Sequence, residues 1–266
     1  MTDVITSAAN PLIKRVRLLA ERRHRRREGA FVVRGVQPVW QAVEAGADIE
    51  VLIVAPELLR GPAAEMVAEQ EVGGVRVARL SAELFGRIAD RDGPVGLAAI
   101  VRKRVGALDQ LAVRPDSVFA ALHEVANPGN LGTIIRTAGA AGAAGVILVG
   151  RCTDPHDPAA VKASMGAVFT VPVATVATPA EFLRWGREQG IAVAMTSGSG
   201  TGSLWDTALP QPLAILFGSE GAGLPEELLA AGDLRLRIPM TGTAESLNLA
   251  VAAGVLLYEA WRQLRH

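Results

Sequence analysis

Three polar, glycine-containing segments in the second half of the chain hold most of the side chains that can do chemistry. They span residues 127–138, 217–224 and 238–252. Each segment follows an apolar, strand-like run, at the point where a strand would give way to a loop or a helix. Because ligands of open α/β sheets bind beyond the carboxyl ends of the strands, these segments predict one shared polar site.

The candidate catalytic side chains in these segments also have ordinary structural interpretations. Arg136 is a lone charge on an otherwise apolar helical pattern, and its planar guanidinium suits a phosphate group. Asn130 directly precedes that pattern, so it is either a helix N-cap or a site residue. Glu220 and Ser246 are likewise either capping groups or site residues. Asn248, which falls in the first turn of the last predicted helix, completes the set.

Length and composition exclude several classes of protein. The 266 residues suit one large domain or two small ones, and half of them are hydrophobic. No run of 18 apolar residues occurs, so no transmembrane helix is expected. Residues 1–10 are too polar for a signal peptide, and the single Cys152 excludes an internal disulfide and a cysteine-based zinc site. We therefore expect a cytoplasmic protein without a metal site.

Motifs of the common α/β enzymes are missing from the sequence. No Gly-x-Gly-x-x-Gly follows the first predicted strand of either half, which excludes a Rossmann dehydrogenase. No Gly-Lys-Ser/Thr and no Gly-x-Ser-x-Gly occurs either. P-loop NTPases and serine hydrolases of the α/β type are therefore excluded as well.

Charge is unevenly distributed although the chain as a whole has a net charge of zero. Residues 14–28 contain eight basic and two acidic residues, a net charge of +6, so the remainder carries −6. The basic residues are Lys14, Arg15, Arg17, Arg22, Arg23, Arg25, Arg26 and Arg27. A solvated helix face would explain them, but a polyanionic partner would also relieve their mutual repulsion.

Strands and helices alternate along the chain, which predicts an α/β protein. In the first half, Asn10 and Pro11 begin a helix that we expect to end near Arg27. Strands then follow at 30–33, 49–54, 75–80 and 96–101. The second half has strands at 118–122, 146–149, 171–174, 191–195, 213–217 and 234–238 and a final helix at 247–264. This pattern predicts a mostly parallel sheet covered by helices on both faces.

The three polar segments resemble, in order, the motifs of the SpoU (TrmH-type) RNA ribose methyltransferases, a branch of the SPOUT class. The resemblance covers roughly residues 117 to 266. It implies methyl transfer from S-adenosylmethionine to a ribose 2′-hydroxyl of RNA, a homodimer, and a deep trefoil knot near the C-terminus. Knots are almost absent from proteins, so sequence physics alone would not predict one here.

An N-terminal domain similar to ribosomal protein L30e, which binds RNA, is also implied by this resemblance. The basic opening helix and residues 31–35 are similar to that domain, although relatives usually carry Glu where this chain has Arg34. The predicted organisation is an L30e-like domain at 1–101, a linker at 102–116 and a SPOUT methyltransferase domain at 117–266. The appended domain favours ribosomal RNA as the substrate. Transfer RNA remains an alternative, as does a non-catalytic RNA-binding protein with a degenerate methyltransferase domain.

The resemblance assigns roles to individual residues. Arg136 would contact the target phosphate and ribose, with Asn130, Glu220, Ser246 and Asn248 organising the catalytic site. The cofactor pocket would be lined by Thr196, Gly218, Ile238, Met240 and Leu247. The RNA-binding residues would be Lys14, Arg15, Arg22, Arg23, Arg25, Arg26 and Lys162. Lys162 stands where many relatives have Arg. It keeps the positive charge but lacks the planar guanidinium that can donate two parallel hydrogen bonds to a phosphate.

In this chemistry the ribose oxygen displaces the sulfur in line from the methyl group. The protein must align the oxygen, the methyl carbon and the sulfur. Arg136 has been proposed as the base in this family. An arginine is hard to deprotonate in a protein, so we interpret its role as electrostatic stabilisation of charge developing on the oxygen.

Overall fold

The structure, a computed structural model, describes residues 4–89 and 96–265. By its contacts the chain divides into two compact units. Unit 1 is Met1–Arg104 with His156–Phe169, and unit 2 is Val105–Pro155 with Thr170–His266. The domain boundaries expected from the sequence stay a prediction. Their outer ends, Met1 and His266, lie outside the described residues.

Unit 1 is built on a four-stranded sheet with strand order β1-β4-β2-β3. Strand β4 pairs antiparallel with β1 and β2, and β3 pairs parallel with β2. Its elements are α1 (Pro11–Leu18), α2 (Arg22–Glu28), β1 (Ala30–Arg34), α3 (Val36–Glu44), β2 (Ile49–Val54), α4 (Pro62–Val72), β3 (Val77–Arg79), α5 (Ala82–Gly86), β4 (Leu97–Arg102) and α7 (Pro158–Ser164). A short 3₁₀ turn, Ala167–Phe169, follows α7.

Both faces of this sheet are buried, because successive side chains of its strands enter different cores. In β1, Val32 packs with Leu12 and Ile13 of α1 in one cluster. Its neighbours Phe31 and Val33 belong to a second cluster on the other face. The buried part of each strand is consequently apolar on both faces rather than alternating, and the charged residues stand at or near strand ends.

The predicted single opening helix is wrong, because the chain forms two short helices with a break at residues 19–21. Helix α1 begins as expected, with the side chain of Asn10 accepting a hydrogen bond from Leu12 N at 2.9 Å. Helix α2 ends at Gly29, whose φ of 63° is the left-handed conformation that favours glycine. The basic residues are thus divided between two short helices.

Arg25 is the residue that holds this break together, and the expectation that it binds RNA is wrong. Its side chain is 1% exposed. The guanidinium donates hydrogen bonds to the carbonyls of Leu19 at 3.2 Å and Ala20 at 2.6 Å, and to Asp157 Oδ2 at 3.2 Å. A buried guanidinium must have such acceptors, because an unpaired buried charge is costly. Arg25 is therefore unavailable to an RNA phosphate.

Residues 156–169 return to unit 1 after the first part of unit 2. Val161 of α7 is buried in the core cluster that contains Phe31. The Phe31 ring lies 4.4 Å from that of His156 and 6.0 Å from that of Phe169, measured between centroids. Asp157, the partner of Arg25, also caps α7 by accepting a hydrogen bond from Ala159 N at 3.0 Å. This segment is thus part of the unit 1 core.

Unit 2 has a seven-stranded sheet with the order β7-β6-β5-β10-β8-β11-β9. Every pairing in it is parallel. Its elements are β5 (Val118–His123), α6 (Pro128–Ala140), β6 (Gly145–Val149), β7 (Val173–Val176), α8 (Pro179–Glu188), β8 (Ala192–Thr196), β9 (Gly202–Ser203), β10 (Leu213–Phe217), α9 (Glu226–Ala230), β11 (Leu234–Arg237) and α10 (Leu249–Leu264). A 3₁₀ turn at Leu108–Gln110 precedes β5.

Helices cover both faces of this sheet, as the sequence predicts. Phe182 and Trp185 of α8 pack with Phe119 of β5 on one face. Helices α6 and α10 contact each other and β5. The order of the sheet reverses at β5, which lies between β6 and β10, so its carboxyl end is a topological switch point. In the described part of the chain, no helix is both long and apolar enough to cross a membrane.

Candidate active site

A cavity of about 700 Å³ lies at the carboxyl edge of the unit 2 sheet. Its walls come from the loops after β8, β10 and β11 and from the start of α6 and α10. Nine of the residues predicted for the catalytic or cofactor site line it, namely Asn130, Thr196, Gly218, Glu220, Ile238, Met240, Ser246, Leu247 and Asn248. The parallel sheet places these strand ends at one edge, and the shared polar site predicted from the three segments is one cavity.

A chain of side-chain hydrogen bonds crosses the rim of this cavity. Glu220 Oε1 accepts a hydrogen bond from Asn130 Nδ2 at 3.1 Å. Asn130 Oδ1 in turn accepts one from Asn248 Nδ2 at 3.1 Å. Three residues separated by 90 and 118 positions in sequence are thereby joined, one from each polar segment.

Asn130 can join this network because a different residue caps helix α6. The cap of α6 is Asn127, whose Oδ1 accepts a hydrogen bond from Asn130 N at 3.1 Å. The N-cap interpretation of Asn130 is therefore wrong. Sequence reasoning missed Asn127, although the Asn-Pro pair that correctly marked Asn10 as a cap recurs at Asn127 and Pro128.

The final helix begins two residues later than predicted. Asn248 caps it by accepting a hydrogen bond from Ala250 N at 2.9 Å, and α10 starts at Leu249. The cap interpretation of Ser246 is thus wrong, and Ser246 lies in the cavity wall. Asn248 uses its oxygen for the cap and its amide group for Asn130, so both ends of its side chain are engaged.

Glu220 receives further hydrogen bonds from the backbone amides of Ala126 at 3.3 Å and Asn127 at 3.1 Å. Partial burial acts to raise the pKa of Glu220. The amide of Glu220 itself, the Asn130 side chain and these two backbone amides outweigh burial, and the net pKa is lowered. A carboxylate with these donors is ionised at neutral pH.

Gly218 allows the loop after β10 to turn back on itself. A Cβ atom at this position would collide with the backbone of Gly223 and Leu224. Ser219 and Gly223 exchange backbone hydrogen bonds at 3.3 and 3.0 Å, and Gly223 has a φ of 66°. The chain's own backbone therefore requires glycine at position 218.

Comparison with known proteins decides the family. The family model described as SpoU rRNA Methylase family matches residues 117–258. The chain belongs to the SpoU rRNA methylase family. A second model, the MRM3-like substrate binding domain, matches residues 10–99.

Two relatives that are similar over nearly the whole chain are methyltransferases of 23S rRNA. The chain is 34% identical to the 23S rRNA (uridine(2479)-2'-O)-methyltransferase of Streptomyces viridochromogenes, over 92% of this chain and 87% of that protein. It is 28% identical to the 23S rRNA (guanosine(2553)-2'-O)-methyltransferase RlmP of Bacillus subtilis, over 96% of this chain and 97% of that protein.

Solved structures resemble the whole chain as well. An AdoMet-bound rRNA methyltransferase from Sinorhizobium meliloti has a TM-score of 0.89 at 38% identity, covering 98% of both chains. The SpoU methyltransferase AviRb from Streptomyces viridochromogenes, in complex with AdoMet, has a TM-score of 0.86 at 32% identity, covering 96% of this chain and 98% of that one. The predicted SpoU family and SPOUT fold class are confirmed, while the knot and the L30e likeness stay predictions.

Several predicted residues of this SpoU family member are not among those that line the cavity. Arg136 is exposed on α6 and is not among the lining residues. The predicted RNA-binding residues lie in unit 1, where Lys14, Arg22, Arg23, Arg26 and Lys162 are exposed. Arg15, also in unit 1, is paired with Glu28 at 2.8 Å and Glu50 at 2.7 Å. No group of three metal-ligating side chains occurs within residues 4–89 and 96–265.

Gly218→Ala tests the close backbone approach in the loop after β10. The added methyl group has no space, so we expect the free energy of unfolding to fall by about 1–3 kcal/mol, as for overpacked sites. Gly221→Ala is the matched control, since nothing lies within 4 Å of its Cβ position. Urea denaturation of both variants checks this, and equal stabilities would contradict the assigned clash.

Proposed function

We propose that this protein transfers a methyl group from S-adenosylmethionine to a ribose 2′-hydroxyl of ribosomal RNA in the cytoplasm. The observation that carries the proposal is the Glu220–Asn130–Asn248 network at the rim of the cavity, which joins the three motifs of the family. The relatives named above are methyltransferases of the same atom in 23S rRNA.

The cavity fits this cofactor in size and in chemistry. Its volume of about 700 Å³ falls within the range of small-molecule sites. Apolar side chains such as Ile238, Leu247 and Leu249 line it beside the backbone of residues 218–224, which offers hydrogen-bonding groups. When bound, S-adenosylmethionine supplies an electrophilic methyl group on a positively charged sulfur. The residues of the chain must hold it, orient the ribose and exclude water.

Arg136 has the right setting for an electrostatic role towards RNA. It lies exposed on α6, the helix whose first turn carries Asn130. Within the described residues it has no hydrogen bond or ion pair to another side chain, so its charge is available to a partner. A guanidinium stays protonated at any relevant pH, so we assign it to phosphate binding and charge stabilisation rather than proton removal.

Unit 1 is the proposed platform for the RNA backbone. The exposed basic residues of α1 and α2 are Lys14, Arg17, Arg22, Arg23, Arg26 and Arg27. Lysine and arginine side chains of this kind gain affinity for nucleic acid by releasing the counterions of the phosphates. The match of residues 10–99 to a substrate-binding domain supports this assignment.

A homodimer through α10 is the proposed assembly. Leu256 and Leu257 of this helix are buried within the chain, at 2% and 1% exposed. Val251, Tyr258 and Trp261 remain 53%, 47% and 40% exposed. An exposed apolar row on a helix is typical of an interface. We assign a second copy of this chain as its partner.

Transfer RNA as the substrate, and a non-catalytic RNA-binding protein, are the alternatives. The complete set of Asn130, Glu220 and Asn248 in one hydrogen-bonded network favours catalysis over a degenerate domain. Mapping of ribose methylation in ribosomal and transfer RNA from a strain lacking the protein would separate the two substrates.

Arg136→Ala tests the proposed function. Calorimetry should give one S-adenosylmethionine site per chain for the wild type and the variant, because the proposed partner of Arg136 is RNA. Methylation of ribosomal RNA should fall by more than about tenfold, a loss above 1.4 kcal/mol of transition-state stabilisation. Arg184→Ala, an exposed arginine of α8, is the control and should keep full activity. No binding of the cofactor at millimolar concentration would refute the proposed activity itself.

Replacing Arg22, Arg23 and Arg26 together with Gln tests the RNA platform. Each phosphate contact contributes roughly 0.7–0.9 to the slope of log affinity against log salt, so the slope should flatten by about two to three units. The control removes the same charge elsewhere in unit 1, at the exposed Arg60, Arg76 and Arg87. If the plots of log affinity against log salt had the same slope for the wild type and the test variant, these arginines would not bind phosphate.

Light scattering tests the dimer, which should have about twice the 27.8 kDa mass of the chain. Val251→Lys places a charge in the exposed apolar row of α10 and should give a monomer at micromolar concentration. Val72→Lys is the matched control, since Val72 is 91% exposed in unit 1. A monomeric wild-type protein would contradict this assembly.

A further inference from the structure

Among the described residues that line the cavity, the only charged ones are Glu220 and Glu245. No lysine, arginine, histidine or aspartate lies in its wall there, although 27 lysines and arginines occur in the chain. The remaining polar lining consists of amides, hydroxyls and backbone groups. Electrostatically, the cavity therefore favours a cation over a neutral molecule of the same shape.

The two carboxylates differ in how their charge is used inside the chain. Glu220 accepts hydrogen bonds from Asn130 Nδ2 and from the amides of Ala126 and Asn127, at the start of α6. Those donors and the positive end of the helix offset its charge. Glu245 has no hydrogen bond or ion pair to any other described residue. Its negative charge is therefore not offset by another described residue and can act on a ligand.

Glu245 lies on a loop without regular structure, since every residue from 241 to 248 is exposed and outside a helix or strand. The loop still places Glu245, Ser246 and Leu247 in the cavity wall, because its end is fixed by the bonds of Asn248 to Asn130 and Ala250. A carboxylate three residues before this anchor contributes to the potential within the cavity.

We propose that Glu245 makes the cavity select the positively charged methyl donor over its neutral product. This inference rests on the proposed function. Methyl transfer breaks the sulfur–carbon bond with its electron pair staying on sulfur, forms an oxygen–carbon bond to the ribose and releases the hydroxyl proton to solvent. The sulfur changes from cation to neutral thioether. The attraction to Glu245 is lost at that moment, which favours exchange of product for fresh donor.

Calorimetry without RNA tests this proposal on the full chain, because no turnover occurs. The measured quantity is the ratio of the dissociation constants of S-adenosylhomocysteine and S-adenosylmethionine. The amino and carboxylate groups are common to both ligands, so the ratio isolates the charge at sulfur. Glu245→Gln should lower this ratio roughly two- to fivefold, the size expected for an exposed charge pair. The affinity for S-adenosylhomocysteine should stay within about twofold.

Three comparisons make the result specific to charge. Glu245→Asp keeps the carboxylate, so its ratio of dissociation constants should stay close to that of the wild type. Glu227→Gln, an exposed glutamate of α9 outside the cavity wall, removes the same charge and should leave the ratio unchanged. Raising the salt concentration should lower the ratio for the wild type and leave it flat for Glu245→Gln.

Other outcomes overturn the proposal in distinguishable ways. An unchanged ratio in Glu245→Gln, with both ligands bound by the wild type, would refute the role of Glu245 and leave the proposed methyltransferase intact. Equal weakening of both ligands would also refute it, since that result indicates a structural role for the side chain. Failure of the wild type to bind either ligand would refute the inference together with the proposed function.

Discussion

The carboxylate of Glu220 is the group on which the arrangement of the cavity rim depends. It stands in the loop after β10 and accepts hydrogen bonds from the amides of Ala126 and Asn127 and from the side chain of Asn130. These donors lower the pKa of the carboxylate and fix its position at the rim. The loop after β5 is thus held against the loop after β10. Asn130 extends the constraint to Asn248 and so to the first turn of α10.

This constraint works because the sheet has already placed the three loops side by side. Strand β10 pairs in parallel with β5 on one side and β8 on the other, and β8 pairs with β11. Their carboxyl ends lie at one edge, so a hydrogen-bonded chain of three side chains is long enough to cross it. Gly218 then lets the loop after β10 turn within a few residues, which keeps Glu220 close to the strand end.

Local pattern in the sequence is sufficient for the sheet and the cavity but not for several individual side chains. The alternation of strands and helices predicts the parallel sheet, and the polar residues at strand ends predict the shared site. Both predictions rest on patterns within short stretches of sequence. Arg25 shows the limit. It lies within a run of arginines and looks like its neighbours, yet its partner Asp157 is 132 positions away. Residues 156–169 belong to unit 1, so Asp157 reaches Arg25 from a distant part of the sequence. The shift of the α6 cap from Asn130 to Asn127 has a different cause, since two asparagines three positions apart compete for one role.

A net charge of zero conceals two opposite local requirements in this protein. The proposed RNA is a polyanion, whereas the proposed methyl donor carries its reactive charge as a cation. One uniform surface potential would favour one of these ligands at the expense of the other. Different residues meet the two requirements: exposed basic residues lie on the short helices α1 and α2 of unit 1, and only carboxylates are charged in the described cavity wall of unit 2. Phosphates are thereby disfavoured inside the cavity, and Arg136, exposed on α6 and not among the lining residues, offers them a positive charge on the same unit. Balanced total charge is therefore compatible with strong electrostatic selection, since the selection depends on where each charge lies.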